Sequence, residues 1–144
     1  MTEVLIYKPT KTAPEKVLPK LLESVIAKGN NVHILCENDE QIKTLDDYLW
    51  TYEQLSFLPH ATYKDDLVEK QPIVLSINDN NLNNASVLVL TEPKLPQNFS
   101  KFSKVIYISD VAENDKSEIL EKECANNNLQ ISSFLQNEKG WEKK

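Results

Sequence analysis

A chain of 144 residues with 40% hydrophobic and 26% charged content has ordinary globular proportions, which excludes disorder throughout and fits one domain around a single core. At this length folding buries roughly 70% of the surface of the unfolded chain. All 16 basic residues are lysines and the net charge is −6, so the chain lacks the positive field and the guanidinium forks on which direct nucleic-acid binding draws.

The elements are legible in chain order. Val4 to Tyr7 (VLIY) is a short apolar run closed by Lys8, Pro9 and Thr10, which reads as a buried strand ending in a turn. A helix follows, with Val17, Leu18, Leu21, Leu22, Val25 and Ile26 at helical spacing. Pro14 suits its first turn, and Gly29 stands where a helix C-terminus requires left-handed backbone. Pro19 removes a backbone donor from this helix and either kinks it or moves its start.

Val32 to Cys36 (VHILC) is a second buried strand. Asn38 then caps a helix, with Gln41 completing a capping box. The order strand, helix, strand, helix predicts a parallel pair joined by a crossover. Pro72 to Ile77, Val87 to Thr91 and Val105 to Ser109 are further apolar runs without alternation, as in a sheet covered on both faces. The fold class is therefore α/β with a mostly parallel sheet. Between Ile77 and Val87, NDNNLNNAS is too short for a covering helix and reads as a simple loop, which leaves a mixed sheet open. Glu113 to Asn126 supplies a last helix with Ile119, Leu120 and Cys124 on its apolar side. Leu129 to Phe134 is a candidate edge strand, and 137–144 (NEKGWEKK) reads as an exposed tail of the one domain over 1–144.

The chemistry-bearing motifs are few. No apolar run reaches the ~18 residues of a membrane span, and the N-terminus lacks a signal-peptide pattern. Cys36 and Cys124 stand alone, without metal-ligand or CxxC spacing, and read as reduced structural thiols of a cytoplasmic protein. The first strand-to-helix turn, KPTKTAPEK, contains no glycine, whereas dinucleotide and phosphate loops need glycine for close backbone approach. His33, inside a strand, reads as packed, and His60 after Pro59 is the better functional histidine. With no GxSxG or HExxH motif, and with Asp46 and Asp47 diverging by about 100° on a helix, no catalytic residue, metal ligand or cofactor site is assigned. An α/β enzyme or small-ligand domain with an unrecognised site is the alternative.

On the helix after Asn38, the residues Ile42, Leu45 and Leu49 share the face that meets the sheet. Trp50 falls about 80° from that stripe. It either packs under the following loop or stays partly open beside Phe57 as a partner anchor.

The segment LCENDEQIKTLDDYLWTYEQLSFLPH resembles the signature of the chi subunit family of bacterial DNA polymerase III. There an acidic Cys-Glu turn leads into a Leu-Asp-x-x-Leu-Trp helix and then Ser-Phe-x-Pro-His. The later strands, Gly140 and Trp141 recur in order more loosely. The resemblance implies a Rossmann-like three-layer fold without a nucleotide, and a non-catalytic replicase subunit. It implies that Trp50, Phe57, Pro59 and His60 face a clamp-loader psi-type partner or a helicase. It further implies that the acidic C-terminal tail of single-stranded-DNA-binding protein meets Lys122, Phe134, Lys139, Trp141 and Lys143. Here the chain departs from the family: its last helix, SEILEKECANNN, lacks the expected arginine and offers Lys122, with Lys116 just before it, among Glu118, Glu121 and Glu123.

Overall fold

The computed structural model describes residues 2–9, 14–51, 60–64, 71–78, 83–109, 117–137 and 140–143, with the side chains of 14–16, 50–51, 60–61, 137 and 142–143 left out. Along these residues run β1 (Glu3–Lys8), α1 (Pro14–Ala27), β2 (Val32–Leu35), α2 (Asp39–Thr51), β3 (His60–Thr62), β4 (Ile73–Ser76) and β5 (Val87–Leu90). Then come a 3₁₀ turn (Phe99–Lys101), β6 (Lys104–Ile108), α3 (Ser117–Asn126), β7 (Gln130–Asn137) and β8 (Gly140–Lys143).

The described strands form one sheet in the order β3-β4-β2-β5-β6-β1-β7-β8. All adjacent pairs are parallel except β7 with β8. β1 and β2 are parallel as expected, but they are not neighbours, because β6 and β5 lie between them. α1 makes that crossing and packs on β2 and β6. β4 and β5 flank β2 on either side, so the segment joining them crosses β2 and does not turn back as a hairpin.

Both faces of the sheet are apolar, which explains the missing alternation. Val32, Ile34, Ile73, Leu75, Val87 and Val89 pack under α1 and α2, together with Leu18, Leu22, Ile42 and Leu49. Val4, Ile6, Leu88, Val105 and Phe102 pack on the opposite side with Leu120 and Cys124 of α3. The architecture is a three-layer Rossmann-like α/β fold.

Local chemistry sets the element ends. Gly29 has φ +86°, Gly29 N–H donates to Ile26 O and Asn30 N–H to Val25 O, the two bonds of a Schellman cap. α1 keeps its start at Pro14 and carries Pro19, buried, inside its second turn. Asn38 Oδ1 accepts from Gln41 N–H at 2.8 Å, while Gln41 Oε1 accepts from Glu37 N–H at 2.6 Å, one residue before the position a capping box uses.

Three expectations need correction. β7 is not an edge strand, because it pairs with both β1 and β8. The supposed tail contributes β8, antiparallel to β7, since Asn137 and Gly140 pair across a short reversal. Ile119 is 56% exposed, because the buried stripe of α3 is Ser117, Leu120 and Cys124 and Ile119 points about 100° away from it.

Candidate functional site

In a doubly wound sheet the default ligand site is the crevice where neighbouring strands send the chain to opposite faces. β2 and β5 are such neighbours. The chain leaves β2 into α2 on one side, and leaves β5 into the segment whose Leu95, Phe99 and Phe102 pack on the other. A cavity of about 250 Å³ opens between their ends, lined by Leu35, Cys36, Glu37, Leu90, Thr91 and Leu95 among others.

Glu37, Glu92 and Lys94 also line this crevice, and at its floor Thr91 and Gln41 are bonded to each other and to the main chain. Thr91 Oγ1 donates to Leu35 O at 2.9 Å and lies 3.2 Å from Gln41 Oε1, the same oxygen that accepts from Glu37 N–H. These bonds join β5, β2 and α2 directly. Burial, helped by the Glu37 charge, pushes the Cys36 thiol up to about 12, and burial with Glu123 and Glu121 nearby pushes Cys124 up to about 11. Both thiols are buried and free. A thiol so raised is almost wholly protonated at pH 8 and a poor nucleophile. Neither cysteine is expected to react with iodoacetamide in the native protein at pH 8, and both are expected to react in urea. Native labelling of Cys36 at the rate of a free thiol, read by mass spectrometry, would contradict its placement.

Among the described residues no group of three His, Cys, Asp or Glu side chains is arranged to hold a metal. His33 is fully buried, its Nε2–H donates to Asn78 O at 2.7 Å, and its ring lies 5.8 Å from that of Phe102. It is a packed histidine. No helix among the described residues is long and apolar enough to cross a membrane.

The partner-binding candidates fall at one margin of the sheet. Trp50 lies in the last turn of α2 and His60 opens β3, the strand at that margin, both placed here by their main chain. Phe57 and Pro59 lie outside the described residues. The stripe of Ile42, Leu45 and Leu49 faces the sheet as expected. Tyr63, just beyond β3, donates its hydroxyl to Asp39 Oδ1 at 2.8 Å, and Lys64 lies 3.4 Å from the other oxygen. This surface clasp joins the first turn of α2 to the residues just after β3.

The other candidates divide between two faces of the opposite margin. Phe134 pairs in register with Tyr7, and their rings stack with centroids 4.9 Å apart at 16°. Trp141 of β8 meets the same Tyr7 edge-on at 5.1 Å and 87°. Tyr7 belongs with the side chains of the α1 and α2 side, whereas α3 packs on the other. Lys122, on α3, is therefore across the sheet from Phe134 and Trp141, exposed and 3.8 Å from Glu118 one turn away. Lys139 lies outside the described residues, and Lys143 pairs with Phe134 along the main chain. Tyr7 is the residue the sequence did not single out. Its aromatic partners are distant in the chain, and only the β1–β7 register joins them.

A family model described as DNA polymerase III chi subunit, HolC, matches residues 1–121, which take in α2 and β3 and stop before β7. A probable DNA polymerase III subunit chi of Rickettsia prowazekii is 30% identical, over 99% of this chain and 92% of that protein. The subunit chi of Pseudomonas aeruginosa is 26% identical over 74% of this chain and 78% of its own length, and that of Haemophilus influenzae 26% over 64% and 65%.

Proposed function

Because the chain belongs to the DNA polymerase III chi subunit family, we propose that it is a non-catalytic accessory subunit of the replicase, a single domain over 1–144 acting in the cytoplasm. It links a clamp-loader psi-type partner or a helicase to the acidic C-terminal tail of single-stranded-DNA-binding protein. Trp50, Phe57, Pro59 and His60 form the first contact. Phe134, Trp141, Lys139 and Lys143 form the second. The protein makes no strong direct contact with nucleic acid and holds no cofactor.

The observation that carries this reading is the separation of the two surfaces. α2 with β3 stands at one end of the strand order and β8 at the other, seven inter-strand steps of about 4.8 Å or roughly 34 Å apart. Two partners can therefore occupy one molecule without touching.

The test immobilises an acidic peptide ending in phenylalanine, loads the protein at low salt, and then offers clamp-loader proteins from the native cell extract. Capture of both at once is expected. Retention should fall as salt rises, because lysines supply the attraction to the peptide. The double variant Trp50→Ala, Phe57→Ala should lose roughly thirtyfold in capture of the second partner, a hot-spot loss of about 2 kcal/mol, with peptide binding and melting unchanged. If each partner displaces the other, the protein is not a link between them. If the double variant loses cooperative melting, these side chains belong to the core.

A further inference from the structure

The sheet ends at β8, whose outer side is covered by no other described strand. Such an edge presents main-chain N–H and C=O groups with which an extended peptide can pair. Trp141 stands in this edge strand, 37% exposed despite its size. The Tyr7 ring, itself stacked on Phe134, meets the indole edge-on and holds it in place, so a partner ring meets a surface whose ordering has already been met on folding.

Charge selects the occupant. The segment 137–144 has Lys139, Lys143 and Lys144 against Glu138 and Glu142, a local charge of +1 in a chain of net −6. α3 has Glu118, Glu121 and Glu123 against Lys122, a charge of −2. Of these, Glu121 lies 3.7 Å from Lys8, Glu118 is paired with Lys122, and Glu123 accepts the Leu95 N–H. The last helix thus carries a net negative charge and the segment around the last strand a net positive one, which favours the strand for an acidic segment.

We propose that an acidic peptide ending in an aromatic residue adds to β8 as a further strand of the sheet, its main chain paired along Gly140–Lys143 and its terminal ring set against Trp141 on the Tyr7 side. This rests on the tail-binding reading above and gives it a mode and an address. The address is the sheet edge and the face shared with α1, not α3, and Tyr7 joins the site as a positioning residue that holds Trp141.

The experiment uses the full chain at low salt and three peptides: an acidic peptide ending in phenylalanine, the same peptide ending in alanine, and one with alternate backbone nitrogens methylated. Methylation keeps every charge and the ring but removes main-chain donors. Both modified peptides are expected to bind at least tenfold more weakly than the first. Binding should also slow amide exchange in residues 140–143, a change that ring contact alone would not produce. Trp141→Ala and Tyr7→Leu should each weaken binding about tenfold, and Tyr7→Phe should restore it, since the hydroxyl is not used. Equal affinity for the methylated peptide would overturn strand addition while leaving the tail reading intact. A larger loss from Lys122→Ala than from Trp141→Ala would return the site to α3. Absence of any binding by the unmodified peptide would remove the tail reading and this proposal together.

Discussion

Phe102→Ala is expected to destabilise the protein by about 3–5 kcal/mol, a large share of the ~5–15 kcal/mol that holds a typical domain folded. Phe102 is the largest fully buried side chain among the described residues, 1% exposed. It belongs to the core layer between the sheet and α3, and its ring lies beside that of His33. Its main chain is tied down as well, since Thr2 Oγ1 donates to Phe102 O at 2.7 Å and Phe102 N–H to Phe99 O at 3.1 Å. The backbone therefore cannot collapse freely into the space that alanine leaves, and the cavity cost adds to the lost burial. Phe102→Leu keeps most of the volume and should cost less than about 1.5 kcal/mol. Urea denaturation of the two variants decides the matter. A loss below about 1 kcal/mol in Phe102→Ala would show that the ring is not part of the core.

Asn83→Asp is expected to cost about 3 kcal/mol or more at pH 7, and the loss should shrink as the pH falls. Asn83 is 2% exposed and its amide nitrogen faces three carbonyl oxygens, Val32 O at 3.2 Å, Gln71 O at 2.9 Å and Pro72 O at 3.3 Å. It stitches the start of β5's approach to the N-terminal ends of β2 and β4. A carboxylate oxygen in the place of that nitrogen is repelled by all three and is buried with its charge. A neutral carboxyl can still donate to one of them. The folded-state pKa of the introduced group is therefore raised above the unfolded value of about 3.9. Below that value the group is neutral in both states and charge costs nothing. As the pH rises toward the folded pKa, the penalty grows at about 1.4 kcal/mol per unit. Stability measured against the parent at pH 5 and pH 7 should differ accordingly. Equal losses at the two pH values would mean that the side chain escapes to solvent.

The elements themselves were legible because their signals are local. Helical spacing located α1 and α2, and the unalternating runs located β1, β2, β4, β5 and β6 with shifts of about one residue at their ends. Gly29 was legible because only its backbone conformation is at stake. The same logic failed at α3, where Ile119 was grouped with Leu120 although adjacent helical residues point apart. It failed again at 140–143, where a polar stretch with one tryptophan resembles a tail. What turns that stretch into β8 is the partner β7 and the ring of Tyr7, neither of which leaves a mark in the local pattern.

For the two proposed binding surfaces the division is sharper. The segment from Cys36 to His60 declares its family by residue identity alone, and no coordinate is needed to read it. The candidates for the proposed second surface could not be sorted from sequence, because Lys122, Phe134 and Trp141 lie close along the chain yet belong to two faces of the sheet. A residue's own position decides whether it suits a helix or a strand, since that depends on spacing and backbone preference within a few neighbours. Which face it joins depends on strand order and register, set by hydrogen bonds between segments far apart. The sequence alone thus determined the α/β class, the helix caps, the lack of a glycine-bearing phosphate loop and the family. Only the tertiary structure decided that β1 and β2 stand apart, that 140–143 form the outermost described strand beside β7, and that Tyr7 and Trp141 meet across the sheet from the last helix.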